Sequence, residues 1–168
     1  EAGSGNSCME LRDRALVEFL YSTGVRVSEL AALNVADIEM GKQELIVYGK
    51  GSKERKTYLT DSARFYLRRY LQERDAKPDE PLFVTLDAPH DRLSVAGIQY
   101  MLRQLGQRAG VVGVHPHRFR RTIATDLLNR GMPIEQVKEF LGHEKLDTTM
   151  IYCTVRAESV KASHRKYA

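Results

Sequence analysis

Apolar residues recur at helical spacing through most of the chain. Leu11, Ala15, Leu16 and Phe19 follow this spacing within residues 9–24, where Gly24 is a fitting stop signal. The same pattern, bounded by capping residues, prolines and glycines, predicts further helices. They cover residues 25–34, 61–75, 94–110, 115–131 and 133–142, with short ones over 147–155 and 156–168.

Between the second and third predicted helices the pattern changes to one typical of strands. Residues 35–40, 44–49 and 56–60 are short and rich in β-branched and aromatic residues. The turn around Gly49 and Lys50 predicts a hairpin between the last two. The chain is therefore predicted to be an α+β protein, mainly helical, with a small three-stranded antiparallel sheet.

The composition of the chain is typical of a single globular domain. The chain has 168 residues, of which 42% are hydrophobic and 29% charged, as in one globular domain with its own core. No apolar run is long enough to span a bilayer and no secretory signal opens the chain, so we expect a cytoplasmic protein without a membrane partner. A net charge of +4 permits a polyanionic partner without requiring one.

Metal and disulfide chemistry are not favoured by the sequence. Cys8 and Cys153 form no spaced set and are interpreted as reduced thiols. Zinc could in principle be held by three histidines, His115, His117 and His143, but no cysteine or carboxylate pattern supports them. Pro116 also restricts the local geometry of His115 and His117, which flank it. Three carboxylates that could suggest a two-metal nuclease are scattered: Glu29, Asp37 and Glu54. We therefore expect neither a metal site nor a cofactor.

The remaining polar candidates are all side chains that could take part in one reaction, attack on a phosphodiester. Guanidinium groups can clamp non-bridging oxygens, a lysine can protonate an alkoxide, and imidazoles can donate to phosphate or carry a proton. A tyrosine can form a covalent phosphate ester. Most tyrosines lie on apolar faces and are interpreted as packing. The candidates are Arg26, Lys50, His117, Arg120, His143 and Tyr152.

Four motifs carry these residues in order: "TGVRVSEL", "GKGSKER", "HRFRRTIATDLLNRG" and "LGHEKLDTTMIY". With them the chain resembles the catalytic domain of the tyrosine recombinases, the lambda-integrase family of site-specific DNA recombinases. The resemblance runs from about residue 10 to about residue 160. It implies that the six candidates are the catalytic residues, with Tyr152 as the nucleophile that forms a 3′-phosphotyrosyl intermediate without metal or ATP.

The resemblance also implies partners and an organisation. Residues 9–168 would be the catalytic domain, and residues 1–8 a linker or a cloning scar, with the family's N-terminal core-binding domain absent from this chain. Double-stranded DNA would be the substrate, bound by a homotetramer on two sites, with the isolated fragment a monomer. Further DNA contacts are predicted at Lys53, Arg55, Arg118 and Arg121. Many members have histidine where this chain has Arg121.

Two other functions remain open at this point. A relative used only for DNA binding would form no covalent complex with DNA. An enzyme resembling type IB topoisomerases would relax supercoils by the same chemistry but would yield no recombinant products.

Overall fold

Six helices and a β-hairpin make up the described part of the protein. The computed structural model describes residues 7–49 and 53–143. The helices are α1 (Cys8–Thr23), α2 (Val27–Ala32), α3 (Asp61–Glu73), α4 (Val95–Arg108), α5 (Pro116–Asn129) and α6 (Ile134–Leu141). The hairpin consists of β1 (Glu44–Tyr48) and β2 (Glu54–Tyr58). The mainly helical α+β class is confirmed, and the two short helices predicted over residues 147–155 and 156–168 lie outside the described residues.

The first helix shows why its ends fall where they do. Ser7 accepts a hydrogen bond from the amide of Glu10, and the Glu10 carboxylate accepts one from the Ser7 amide, which forms a capping box. At the other end Gly24 adopts a left-handed conformation with φ of 58°, and its amide donates to the Leu20 carbonyl. A Cβ at Gly24 would lie 3.0 Å from the Leu141 side chain, so glycine also permits close approach of α6.

The prediction of a third strand, over residues 35–40, is wrong. Within residues 35–40, Val35–Asp37 form a single 3-10 turn, and the sheet described here has two antiparallel strands. The amides of Val35 and Ala36 donate to the carbonyls of Glu80 and Pro78 instead of to a neighbouring strand. The Asp37 carboxylate accepts from the Asn34 amide at 2.7 Å, which favours the turn.

The main core lies between α1 and α3 and extends to the loop before α4. Phe19 and Tyr70 are fully buried there, and the Tyr70 ring stacks on Phe83 with 5.6 Å between centroids. A second, smaller apolar cluster joins α5 to α6 through Ala124 and Val137. Together these contacts fix the end of α6 beside the end of α1. No helix in the described ranges is both long and apolar enough to cross a bilayer.

Candidate active site

Three arginines meet at the C-terminal end of α6. The last carbonyl groups of a helix have no partner within the helix and carry partial negative charge. Here three successive carbonyl oxygens each accept a hydrogen bond from a different arginine. The pairs are Phe140 with Arg55 at 2.8 Å, Leu141 with Arg120, and Gly142 with Arg26 at 3.1 Å. Residues from four separate parts of the chain therefore converge immediately before His143.

Arg26 stands at the start of α2, where it is partly exposed. Its Nη1 donates to Glu29 Oε1 at 3.1 Å while its Nη2 donates to Gly142. The side chain keeps 39% of its surface exposed. The guanidinium is thus held by two acceptors and still offers surface to a substrate.

The Glu29 carboxylate pairs with two of these arginines, a role that was not predicted from the sequence. Its side chain is only 3% exposed, and it forms ion pairs with Arg26 at 3.1 Å and with Arg55 at 2.7 Å. Its Oε2 also accepts from the Arg26 amide at 2.7 Å. Arg26 directly precedes α2, and Glu29 follows it by three residues, which is the spacing at which a glutamate caps the start of a helix. That spacing could have linked Glu29 to Arg26 in the sequence.

Arg120 is the most buried of the predicted catalytic residues in the described part. It is 4% exposed, and its two terminal nitrogens donate to the carbonyls of Gly24 and Leu141. Gly24 belongs to the motif of Arg26, and Leu141 to the motif of His143. Arg120 therefore ties three of the four motifs together.

His143 follows the helix end and is 9% exposed. Burial, as the largest cause, and then the positive charges of Arg120, Arg26 and Arg55 together lower the pKa of its imidazole from 6.5 to about 4. The imidazole is consequently neutral at pH 7. Its main-chain amide donates to the Lys138 carbonyl at 3.1 Å, which fixes the turn.

His117 lies on the first turn of α5, three residues before Arg120, with an exposed side chain. Its ring centroid is 6.4 Å from that of His115. The structure brings Arg26, Arg120 and His143 together at the end of α6, whereas His117 is joined to this group through α5.

Lys50 and Tyr152 lie outside the described residues. Gly49, which directly precedes Lys50, is close to the site, since a Cβ there would lie 3.6 Å from Glu29 Oε1 and 3.8 Å from Arg26 Nη1. The hairpin is closed by a hydrogen bond of 2.8 Å from the Gly49 amide to the Lys53 carbonyl.

The residues predicted to contact DNA divide into two groups. Lys53, Arg118 and Arg121 are exposed, and Arg118 also donates to the Val112 carbonyl. Arg55 differs, because its side chain is only 9% exposed and points to Glu29 and Phe140. Burial lowers the pKa of its guanidinium. The terminal nitrogens of Arg55 therefore bond protein groups, and its assignment as a DNA contact stays a prediction.

A model of the phage integrase family matches residues 2–159. The chain belongs to the phage integrase family. The match confirms the resemblance to tyrosine recombinases that the four motifs indicated.

Two tyrosine recombinases are among the proteins that are similar to this chain in sequence. The chain is 37% identical over 167 residues to tyrosine recombinase XerC of Leptospira interrogans, covering 99% of this chain and 54% of the relative. It is 39% identical over 169 residues to XerC of Listeria monocytogenes, covering 96% of this chain and 56% of the relative. The chain thus spans about half the length of these relatives.

Solved structures confirm the catalytic-domain fold of the family. The XerA recombinase is similar with a TM-score of 0.78 and 29% identity, covering 95% of this chain and 61% of that one. The XerH site-specific recombinase bound to its difH substrate is similar with a TM-score of 0.76 and 25% identity, covering 96% of this chain and 48% of that one.

Proposed function

We propose that this chain is the catalytic domain of a site-specific DNA recombinase that cleaves and rejoins DNA through a 3′-phosphotyrosyl intermediate on Tyr152. The observation that carries the proposal is the meeting of Arg26, Arg120 and His143 at the end of α6. These residues are far apart in sequence, and their convergence places two guanidiniums and an imidazole at one helix end.

The two arginines would hold the non-bridging oxygens of the scissile phosphate. Each guanidinium is already oriented by main-chain carbonyls, so little reorganisation is needed as charge develops in the transition state. Arg26, which is partly exposed, would contact the phosphate at the protein surface, and Arg120, which is buried, would contact it from the protein interior.

His143 would act as a neutral hydrogen-bond donor. With a pKa of about 4 it carries no charge near neutral pH, so one ring nitrogen keeps its proton and can donate to a phosphate oxygen. An imidazole of this kind stabilises the pentacoordinate state by hydrogen bonding rather than by net charge.

The remaining proton transfers are assigned to Lys50 and His117. The Tyr152 oxygen attacks phosphorus and its proton passes towards His117, while the bond from phosphorus to the 5′ oxygen breaks. The Lys50 ammonium donates a proton to the departing 5′ oxygen. An incoming 5′-hydroxyl reverses the sequence and releases Tyr152. The tyrosyl ester conserves the energy of the phosphodiester, so the proposed reaction uses neither ATP nor a metal.

Double-stranded DNA is the proposed substrate, and the similarity to the XerH recombinase bound to its difH substrate supports it. Lys53, Arg118 and Arg121 would contact phosphates from exposed positions. We further propose, from the family resemblance, that a homotetramer assembles on two DNA sites, with an N-terminal DNA-binding domain in cis completing the clamp. The reaction would take place in the cytoplasm.

A nicked suicide substrate tests the proposed function directly. The nick lets the short 5′-hydroxyl strand diffuse away, so the covalent complex accumulates and is seen on a denaturing gel. The wild-type chain should form the adduct, and Tyr152→Phe should abolish it while DNA binding stays near normal. An adduct that persists in Tyr152→Phe would move the nucleophile to another residue, with Tyr167 tested next. Absence of any adduct from the wild-type chain would favour a DNA-binding module.

The role of Lys50 is tested with a modified leaving group. Lys50→Ala should cleave ordinary DNA slowly, and a substrate with sulfur at the 5′ bridging position should restore the rate, because a thiolate leaves without a proton. If sulfur fails to restore it, Lys50 is not the general acid. Supercoil relaxation without recombinant products would instead favour topoisomerase activity.

A further inference from the structure

The side chain of Arg55 lies inside the protein although its strand is polar throughout. The register of the hairpin pairs Arg55 with Val47, which is buried, so both side chains share the inner face of the sheet. The Arg55 side chain retains only 9% exposure. Its inward direction is therefore imposed by strand pairing.

Arg55 bridges two parts of the candidate active site. Its Nη2 donates to Glu29 Oε2 at 2.7 Å and its Nη1 donates to the Phe140 carbonyl at 2.8 Å. The other oxygen of Glu29 accepts from Arg26. A single guanidinium thus connects the group that orients Arg26 to the helix end that precedes His143.

The contact with the turn before His143 is very close. Gly142 has φ of 63°, and a Cβ added there would overlap Arg55 Cδ and lie 2.9 Å from Arg55 Nε. The stem of Arg55 therefore packs directly on the Gly142 main chain. Its position limits where His143 can lie.

Charge balance gives Arg55 a second effect on the site. The Glu29 carboxylate lies between two guanidiniums and is shared by them. If Arg55 were absent, the whole charge of Glu29 would act on Arg26 and draw it away from a bound phosphate. By taking up part of that charge, Arg55 leaves Arg26 able to attract an anion.

We propose that Arg55 is a positioning residue that holds Arg26 through Glu29 and His143 through the end of α6, without contacting DNA. This inference rests on the proposed recombinase function and adds a residue that supports its phosphate site.

The test compares three variants of the chain with the wild type. Arg55→Met keeps the apolar stem and removes the charge. Arg55→Lys keeps the charge but lacks the planar fork that bonds two acceptors. Arg118→Met is the matched control, since Arg118 also donates to one main-chain carbonyl but is exposed and is predicted to contact DNA.

Three measurements separate positioning from DNA contact. Both Arg55 variants should form the suicide-substrate adduct more slowly, Arg55→Met by about 100-fold, as expected for small misplacement of catalytic groups. The salt dependence of DNA binding should keep the wild-type slope in Arg55→Met and fall by about one in Arg118→Met. Amide hydrogen exchange without DNA should accelerate at Arg26 and His143 in Arg55→Met and stay at wild-type rates in Arg118→Met.

Several results would overturn the inference. A salt slope reduced by about one in Arg55→Met would make Arg55 a phosphate contact. Wild-type cleavage by Arg55→Lys would show that charge alone suffices. Unchanged exchange at Arg26 and His143 would show that Arg55 positions neither. If Arg55→Met does not fold by circular dichroism, Arg55→Lys is judged by the same three measurements. If the wild-type chain forms no adduct, the proposed function fails, and the exchange rates alone decide the role of Arg55.

Discussion

Replacing Gly142 by alanine should destabilise the protein more than the same change at another left-handed glycine. Gly142 has φ of 63° and Gly110 has φ of 66°, so the backbone strain of adding a Cβ is nearly equal at both positions. The surroundings differ, because a Cβ at Gly142 would overlap Arg55 whereas Gly110 meets no described atom within 4 Å.

The expected difference follows from the contacts that Arg55 would lose. A left-handed conformation costs a non-glycine residue about 1–2 kcal/mol, which is the whole effect expected for Gly110→Ala. Displacing Arg55 would break at least one charged hydrogen bond, to Glu29 or to Phe140, worth about 1.5–3 kcal/mol. Gly142→Ala should therefore lower the free energy of unfolding by roughly 2.5–5 kcal/mol, the sum of these two costs.

Urea unfolding at pH 7, followed by circular dichroism, measures both variants against the wild type. Equal losses for Gly142→Ala and Gly110→Ala would refute the reasoning, because they would show that Arg55 moves aside without cost. A third variant, Gly142→Ala combined with Arg55→Ala, should be less destabilised than the two single changes added together, since Arg55→Ala removes the atoms that a Cβ at position 142 would overlap.

Two further predictions concern the buried residues of the site. Arg120→Met should lower the free energy of unfolding by about 1–3 kcal/mol, because the carbonyls of Gly24 and Leu141 lose their donor. Urea unfolding measures this loss. An unchanged free energy of unfolding would mean that the two carbonyls find other donors. The pKa of His143 is about 4 when folded and about 6.5 when unfolded, so the unfolded state binds more protons between these values. The contribution of His143 to stability should be full above pH 6.5 and decline to its minimum near pH 4, by up to about 3 kcal/mol relative to His143→Gln. A pH-independent difference between wild type and variant would contradict the lowered pKa.

Helical spacing and capping residues were enough to predict the helices in the described part of the chain. The third helix, predicted over residues 61–75, spans Asp61–Glu73, and the fifth, predicted over residues 115–131, spans Pro116–Asn129. These signals are local, since a helix forms its hydrogen bonds within a few residues and its apolar face is written at a fixed spacing. The hairpin was predictable for the same reason, although β2 begins two residues earlier than predicted.

The third strand could not be excluded from sequence. Residues 35–40 are as apolar as a short strand, but a strand needs a partner and the amides of Val35 and Ala36 bond to the loop of Glu80 and Pro78. Which carbonyl lies opposite an amide depends on residues more than forty positions away. Local propensity contains no information on that pairing.

The sequence by itself determined which side chains were candidates for phosphodiester chemistry and in what order they occur. Only the tertiary structure decided what each arginine does. Arg26, Arg55 and Arg120 have the same side chain, yet one is partly exposed, one bridges Glu29 to α6, and one is buried between two main-chain carbonyls. The physical reason is that a guanidinium takes its role from the acceptors around it, and those acceptors are brought together by helix packing and strand register rather than by neighbours in the chain.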